Sequence, residues 1–245
     1  MKTIVLVHGW GMTPAVFDDL VAGLRSRYAV CTPALPGYDS APACTPYSLE
    51  KIVARMSSNA PELCHVAGWS LGAHVALQWA RAKPEQVERL AVIAGTPCFS
   101  QRSDWSCAVD PSVLQSFRDA LTDDAAATLQ RFTLLQAQGD VATRRVAQKL
   151  RETLVSEAAL RVEALCGGLD ILASHDFRPV LAEIAQRTLV VHGTSDRLVP
   201  LAAARHVARA MPKAQLEMID GAAHAPFVSA PEAVARLLTE HFDGR

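Results

Sequence analysis

The sequence predicts an α/β fold: a mostly parallel sheet flanked by helices, interrupted once by an inserted helical cap. Three observations carry that expectation. Short apolar runs alternate with stretches of helical period from the first residues onward. The segments richest in chemistry-bearing residues fall just past the ends of those apolar runs, where open parallel sheets build their sites. Between residues 98 and 178 the alternation stops and only helical spacing remains.

Taken in order, Ile4-Val5-Leu6-Val7 reads as a buried strand over 3–8 that runs into His8-Gly9-Trp10-Gly11. The pattern continues with a helix over 14–25, a strand over 28–33, a helix over 48–59 and a strand over 63–68. A helix over 71–82 follows, with Pro84 placed as a stop signal, then a strand over 88–94. The C-terminal part reads as strand 187–192, helix 201–211, strand 215–219 and helix 231–242. Right-handed crossovers would join these units into one sheet. In the interruption, Leu114-Phe117-Leu121, Leu129-Phe132-Leu135 and Val146-Leu150-Leu154 recur at helical spacing. Residues 1–97 and 179–245 are therefore expected to form the core, and 98–178 a cap covering the site and shaping its pocket.

Gly68-Trp69-Ser70-Leu71-Gly72 is the most informative stretch. It lies between the apolar run Leu63-Cys64-His65-Val66-Ala67 and a segment of helix formers. A glycine-flanked serine on such a strand-to-helix turn resembles the nucleophile elbow of α/β-hydrolases. A serine nucleophile needs a base, and the base needs an orienting acid. In that superfamily the three follow in the order Ser, Asp or Glu, His. Downstream, Asp196 follows the strand ending at His192-Gly193, and His224 follows the strand ending at Ile219. Ser70, Asp196 and His224 are thus the expected triad. The glycine-rich turn after the first strand and the residue after the serine supply the expected oxyanion donors, the backbone N–H groups of Trp10 and Leu71.

Other roles stand beside these. Asp196 also has the position of a loop-capping carboxylate, and Asp220 is its nearest rival, only four residues before His224. His8 reads as a structural partner that fixes its turn. The histidines at 65, 74, 175, 192, 206 and 241 read as packed or solvated. No spacing of histidine and cysteine fits a zinc site, and the reading requires no cofactor.

The chain has 245 residues, 50% of them hydrophobic and 20% charged, with a net charge of −1. That suits an ordered globular protein and argues against bulk attraction to nucleic acid. Six cysteines at 31, 44, 64, 98, 107 and 166 show no paired spacing, as expected of free thiols in a reducing compartment. The apolar run at 4–7 is too short for a signal segment, and no stretch approaches the ~20 apolar residues of a membrane span. A cytoplasmic monomer is the expectation. From Arg131 to Arg151 the cap carries an excess of cations, read either as a solvated face or as a docking patch for an acidic partner.

With the cap included, the chain resembles the pimeloyl-[acyl-carrier protein] methyl ester carboxylesterases of biotin synthesis. The resemblance spans nearly the whole chain. It rests on His8-Gly9-Trp10-Gly11, Gly68-Trp69-Ser70-Leu71-Gly72, Thr96-Pro97-Cys98-Phe99-Ser100 leading to Trp105, and Arg131-Phe132. Gly167-Gly168-Leu169-Asp170-Ile171-Leu172 and His224-Ala225-Pro226-Phe227 complete it. It implies that Trp10 and Phe132 line the acyl channel, and that Arg131 and Arg144 meet an acyl-carrier protein bearing the pimeloyl methyl ester. Ala127 and Gln148 stand where the family carries further arginines; Arg145 and Lys149 are expected to join Arg131 and Arg144 in the docking set, with Arg151 alongside. Two other readings share these residues: a carboxylesterase of broad specificity on small-molecule esters, and a non-catalytic binding module on a hydrolase fold.

Overall fold

A computed structural model describes residues 1–244. Six strands form one sheet: β1 (Thr3–Val7), β2 (Ala29–Cys31), β3 (Cys64–Trp69), β4 (Val87–Ile93), β5 (Arg187–Gly193) and β6 (Ala214–Ile219), in the order β2-β1-β3-β4-β5-β6. Every pairing is parallel. Strand order reverses at β1, whose neighbours are β2 and β3. The crevice beyond the C-terminal ends of β1 and β3 is therefore where such a sheet places a site.

Helices cover both faces, so the central strands are buried twice over, while the edge strands β2 and β6 stay partly exposed. Ile4 and Leu6 point into a cluster with Leu20 and Leu24 of α1 (Asp18–Leu24) and with Val234, Leu238 and Phe242 of α10 (Pro231–Asp243). Val5 and Val7 point the other way, toward α2 (Leu49–Ser58), α3 (Leu71–Ala82) and α8 (Leu201–Ala210). The two-residue period of a strand thus feeds two cores at once. A short helix, α9 (Pro226–Ser229), precedes α10, with proline in its first turn.

Between β4 and β5 lie α4 (Pro111–Asp123), α5 (Ala125–Ala137), α6 (Thr143–Glu152) and α7 (Val162–Ser174). Asp110 and Asp124 cap α4 and α5 by accepting from Ser112 N and Ala127 N at 2.8 and 2.9 Å. Helix α4 packs on α7 and α5 on α6. The two ends of this segment meet: Cys98 and Asp176 form an isolated antiparallel bridge, and Phe177 N donates to Pro97 O at 2.7 Å.

Three elements differ from the expectation. The helix anticipated over 14–25 begins as a 3-10 turn, Pro14–Phe17, and becomes α-helical only at Asp18. Thr13, just before it, is tied through its N–H and its hydroxyl to Thr153 O, and a tight first turn is a common helix start. The strand over 28–33 shrinks to three residues, because Pro33 has no N–H to give the ladder. Helix α9 was not anticipated; Pro226, which was read only as part of a loop motif, starts it.

Candidate active site

Strand β3 leads straight into α3, and Ser70 is the one residue between them. Its backbone stands at φ 56°, ψ −116°, a region costly for any residue with a side chain. The surroundings hold it there. Ser70 N donates to Ile93 O on β4 at 3.1 Å, and Ser70 O accepts from Ala73 N at 2.9 Å. The first turn of α3 presses on β1: a Cβ at Gly72 would lie 2.1 Å from Val7 O and 2.8 Å from His8 O. Only glycine permits that approach.

Two later loops bring the partners. His224 Nε2 lies 3.0 Å from Ser70 Oγ, and His224 Nδ1 lies 2.8 Å from Asp196 Oδ2. All three side chains are buried; Ser70 keeps 5% exposure and His224 none. Asp196 makes the contacts of both roles weighed for it. Its Oδ1 accepts from Leu198 N and Val199 N, each at 2.9 Å, while Oδ2 faces the imidazole. Burial by itself would raise this carboxyl, but the His224 ring and the loop N–H groups outweigh burial and hold it below its ordinary value. An Nδ1–H toward Asp196 leaves Nε2 as the acceptor for a serine proton. Asp220 instead accepts from Thr194 Oγ1 at 3.1 Å on the exposed side of its loop.

The turn after β1 lies against the serine. A Cβ at Gly9 would sit 3.3 Å from Ser70 Cβ. His8 fastens this turn from behind: its Nε2 accepts from Leu35 N, and its Nδ1 donates to Gly9 O, both at 2.9 Å. Burial pushes the His8 imidazole down to about 4, which keeps it neutral in that double role. Leu71 is the first residue of α3, so its N–H has no acceptor inside the helix and is free for a ligand.

Residues of the α4–α7 segment close over the same place. Trp10 Nε1 donates to Leu165 O on α7 at 2.8 Å. The Trp10 indole meets Phe132 edge-on, with ring centroids 5.0 Å apart. Phe117 meets Phe132 in turn, and the Arg131 guanidinium lies 5.9 Å over Phe117. An aromatic wall therefore runs from the turn beside Ser70 to a cation on the exposed surface of α5.

The remaining cap cations divide. Arg144 is exposed, beside Arg151 and Gln148 along one groove with Leu134. Arg145 and Lys149, expected in the docking set, have partners inside the chain. Arg145 Nη2 donates to Val228 O and Ser229 O at 2.8 and 2.6 Å, and Lys149 Nζ lies 4.0 Å from Asp19 Oδ2. The cause is helical phase, which turns these two side chains of α6 toward α9 and α1.

Two features near the site had no counterpart in the sequence reading. His192 Nε2 donates to Val199 O at 2.9 Å and lies 3.6 Å from Asp196 Oδ2; its one sequence signal was its place four residues before the acid. Asp140 lies among the cations of 131–151, is buried, and accepts from Ala223 N at 2.7 Å, beside His224.

Residues 4–237 match the alpha/beta hydrolase family. Similar chains include the pimeloyl-[acyl-carrier protein] methyl ester esterase of Aromatoleum aromaticum, 40% identical over 97% of this chain and 96% of that one. The protein of the same name from Aeromonas hydrophila is 37% identical over 98% and 95%. Among solved structures, an esterase from Exiguobacterium antarcticum superposes with a TM-score of 0.85 at 17% identity, covering 100% of this chain and 92% of that one. Among the described residues no helix is long and apolar enough to cross a membrane.

Proposed function

This chain belongs to the alpha/beta hydrolase family, and we propose that within it the protein is a serine carboxylesterase that hydrolyses the methyl ester of pimeloyl-[acyl-carrier protein], releasing free pimeloyl-[acyl-carrier protein] and methanol for biotin synthesis. The observation that carries this reading is the relay Ser70 Oγ–His224 Nε2 at 3.0 Å and His224 Nδ1–Asp196 Oδ2 at 2.8 Å, in a chain that matches esterases of that name end to end.

His224 takes the Ser70 proton as the oxygen attacks the ester carbonyl, and Asp196 steadies the imidazolium. The tetrahedral oxyanion forms between the N–H groups of Trp10 and Leu71, each worth about 2.7–4 kcal/mol of barrier in such a hole. His224 returns its proton to the methoxide, methanol leaves, and Ser70 carries the acyl group. Water activated by His224 then releases the free carboxylate and restores the serine.

Residues 98–178 act as the cap of this site, and Trp10 and Phe132 flank the acyl chain. Arg131 and Arg144 meet the acidic carrier, while Arg145 and Lys149 tie the cap to α9 and α1 of the core. The protein works in the cytoplasm as a monomer.

The experiment is rescue of a biotin auxotroph that lacks its pimeloyl methyl esterase, with Ser70→Ala beside the wild type. Rescue by wild type alone is expected. Failure of a well-expressed wild type that still hydrolyses short p-nitrophenyl esters would replace the biotin role with a broad esterase. Rapid fluorophosphonate labelling of Ser70 separates either enzyme from a binding module. For docking, Arg131→Glu with Arg144→Glu should lower kcat/KM on the carrier-bound ester about 10-fold or more and leave p-nitrophenyl butyrate unaffected. Equal losses on both substrates would sink the docking assignment.

A further inference from the structure

The turn between α5 and α6 is bonded to the loop that carries His224. From this turn, Gln136 O accepts from the N–H of His224 itself at 3.2 Å, and Val141 N donates to Gly221 O at 2.9 Å. Asp140, 5% exposed, uses both oxygens. Oδ1 accepts from Ala142 N at 2.8 Å, which shapes its own turn. Oδ2 accepts from Ala223 N at 2.7 Å and from the Ser229 hydroxyl. Arg145 adds its two bonds to Val228 O and Ser229 O.

The His224 loop has little of its own to hold it. Gly221, Ala222 and Ala223 precede the histidine, and none has a side chain that can anchor. From the core side, Trp69 Nε1 donates to His224 O at 2.7 Å. Beside β5, Gly221 N donates to Thr194 Oγ1 at 2.8 Å and Ser195 N donates to Ala222 O at 2.9 Å, and from the other side residues 136–145 add their bonds. Asp140 is the one carboxylate among these contacts, and hydrogen bonds to a carboxylate are stronger than those between neutral groups. Its Oδ2 bridges the residue before His224 and Ser229, so it spans the histidine from both sides in sequence.

We propose that Asp140 is a positioning residue for His224: it touches neither substrate nor the reacting atoms and acts by fixing the loop that aims the imidazole at Ser70. The proposal rests on the reading of Ser70, Asp196 and His224 as the triad. A small misplacement of a general base costs about 100-fold in rate, because the near-attack geometry is lost before any bond is.

The test measures kcat and KM for p-nitrophenyl butyrate in the full chain carrying Asp140→Ala, Asp140→Asn or Ser229→Ala, with active sites counted by fluorophosphonate. Asp140→Ala should lower kcat per active site about 10- to 100-fold with KM within about twofold. Asp140→Asn, whose amide oxygen can still accept from Ala223 N, should recover most of that loss. Ser229→Ala should lose a few-fold in the same direction. Normal kcat per active site in Asp140→Ala, even with less folded protein, would overturn the proposal. Where Asp140→Ala yields no folded protein, wild-type kcat in both milder variants would overturn it. Failure of the triad reading shows separately, as activity that survives Ser70→Ala.

Discussion

Ser70 and His224 stand 3.0 Å apart and are held by different means. The serine is fixed by backbone: a strand, a helix, a bond to Ile93 O and the carbonyl oxygens of β1 pressed against α3. The histidine sits on a loop of small residues held by the Trp69 indole, by Thr194 and Ser195 after β5, and by groups of the α5–α6 turn, the Asp140 carboxylate among them. Backbone walls cannot yield, whereas side-chain contacts can be lost one at a time. Changes in the segment between β4 and β5 therefore reach His224 more directly than they reach Ser70.

The sharpest way to break that comparison is to crowd each side by one methyl group. Gly72→Ala drives a Cβ to within 2.1 Å of Val7 O, and nothing there is a flexible side chain. We expect a loss of about 3 kcal/mol or more in urea unfolding, together with loss of esterase activity. Gly221→Ala meets Val141 Cγ1 at 2.5 Å and must hold φ at +70°. It should cost less, about 1–2 kcal/mol. Adding Val141→Ala, at a side chain left 82% exposed, should recover the steric part and leave the backbone part. Equal penalties at Gly72 and Gly221 would erase the distinction.

A smaller effect concerns acid. His8, His65 and His74 are buried, and burial pushes each down to about 4. The unfolded chain takes up these protons below about 6.5 and the folded chain does not, so stability falls as pH drops from 6.5 toward 4. Each such group contributes up to about 1.4 kcal/mol per pH unit within that window. His74 packs edge-on to Phe177, with ring centroids 5.6 Å apart, and neither ring nitrogen has a hydrogen-bond partner among the described residues. His74→Leu should flatten the stability slope between pH 6 and 5 by about one proton. An unchanged slope would show that His74 is not among the groups that set it.

Legibility in the sequence follows the same division. The strand, turn and helix around Ser70 are local, and the reading of helix 71–82 matches α3 residue for residue. Strands β1, β3, β4 and β5 come within a residue or so at either end, because a doubly buried strand leaves a nearly unbroken apolar run; β6, at the edge, comes equally close from its alternating pattern. Helix positions inside the insertion were legible from leucine and phenylalanine spacing, although Leu154 falls beyond the end of α6. Asp140 was opaque because its partner Ala223 lies 83 residues away, and no local pattern announces a contact of that range. Arg145 misled for a related reason: its charge is visible in sequence, but not the carbonyl oxygens that α9 presents to it.

The bridge between Cys98 and Asp176 has a consequence of another kind. Because the insertion leaves and re-enters the sheet at one seam, helices can be lengthened, shortened or exchanged between those two residues without altering the spacing of β4 and β5. A graft from a relative must match that seam, the contacts around Asp140, and the bonds that Leu165, Thr153 and Val155 make to the turn after β1. Substrate range can then diverge by replacement of one cassette while the strands beneath it stay as they are.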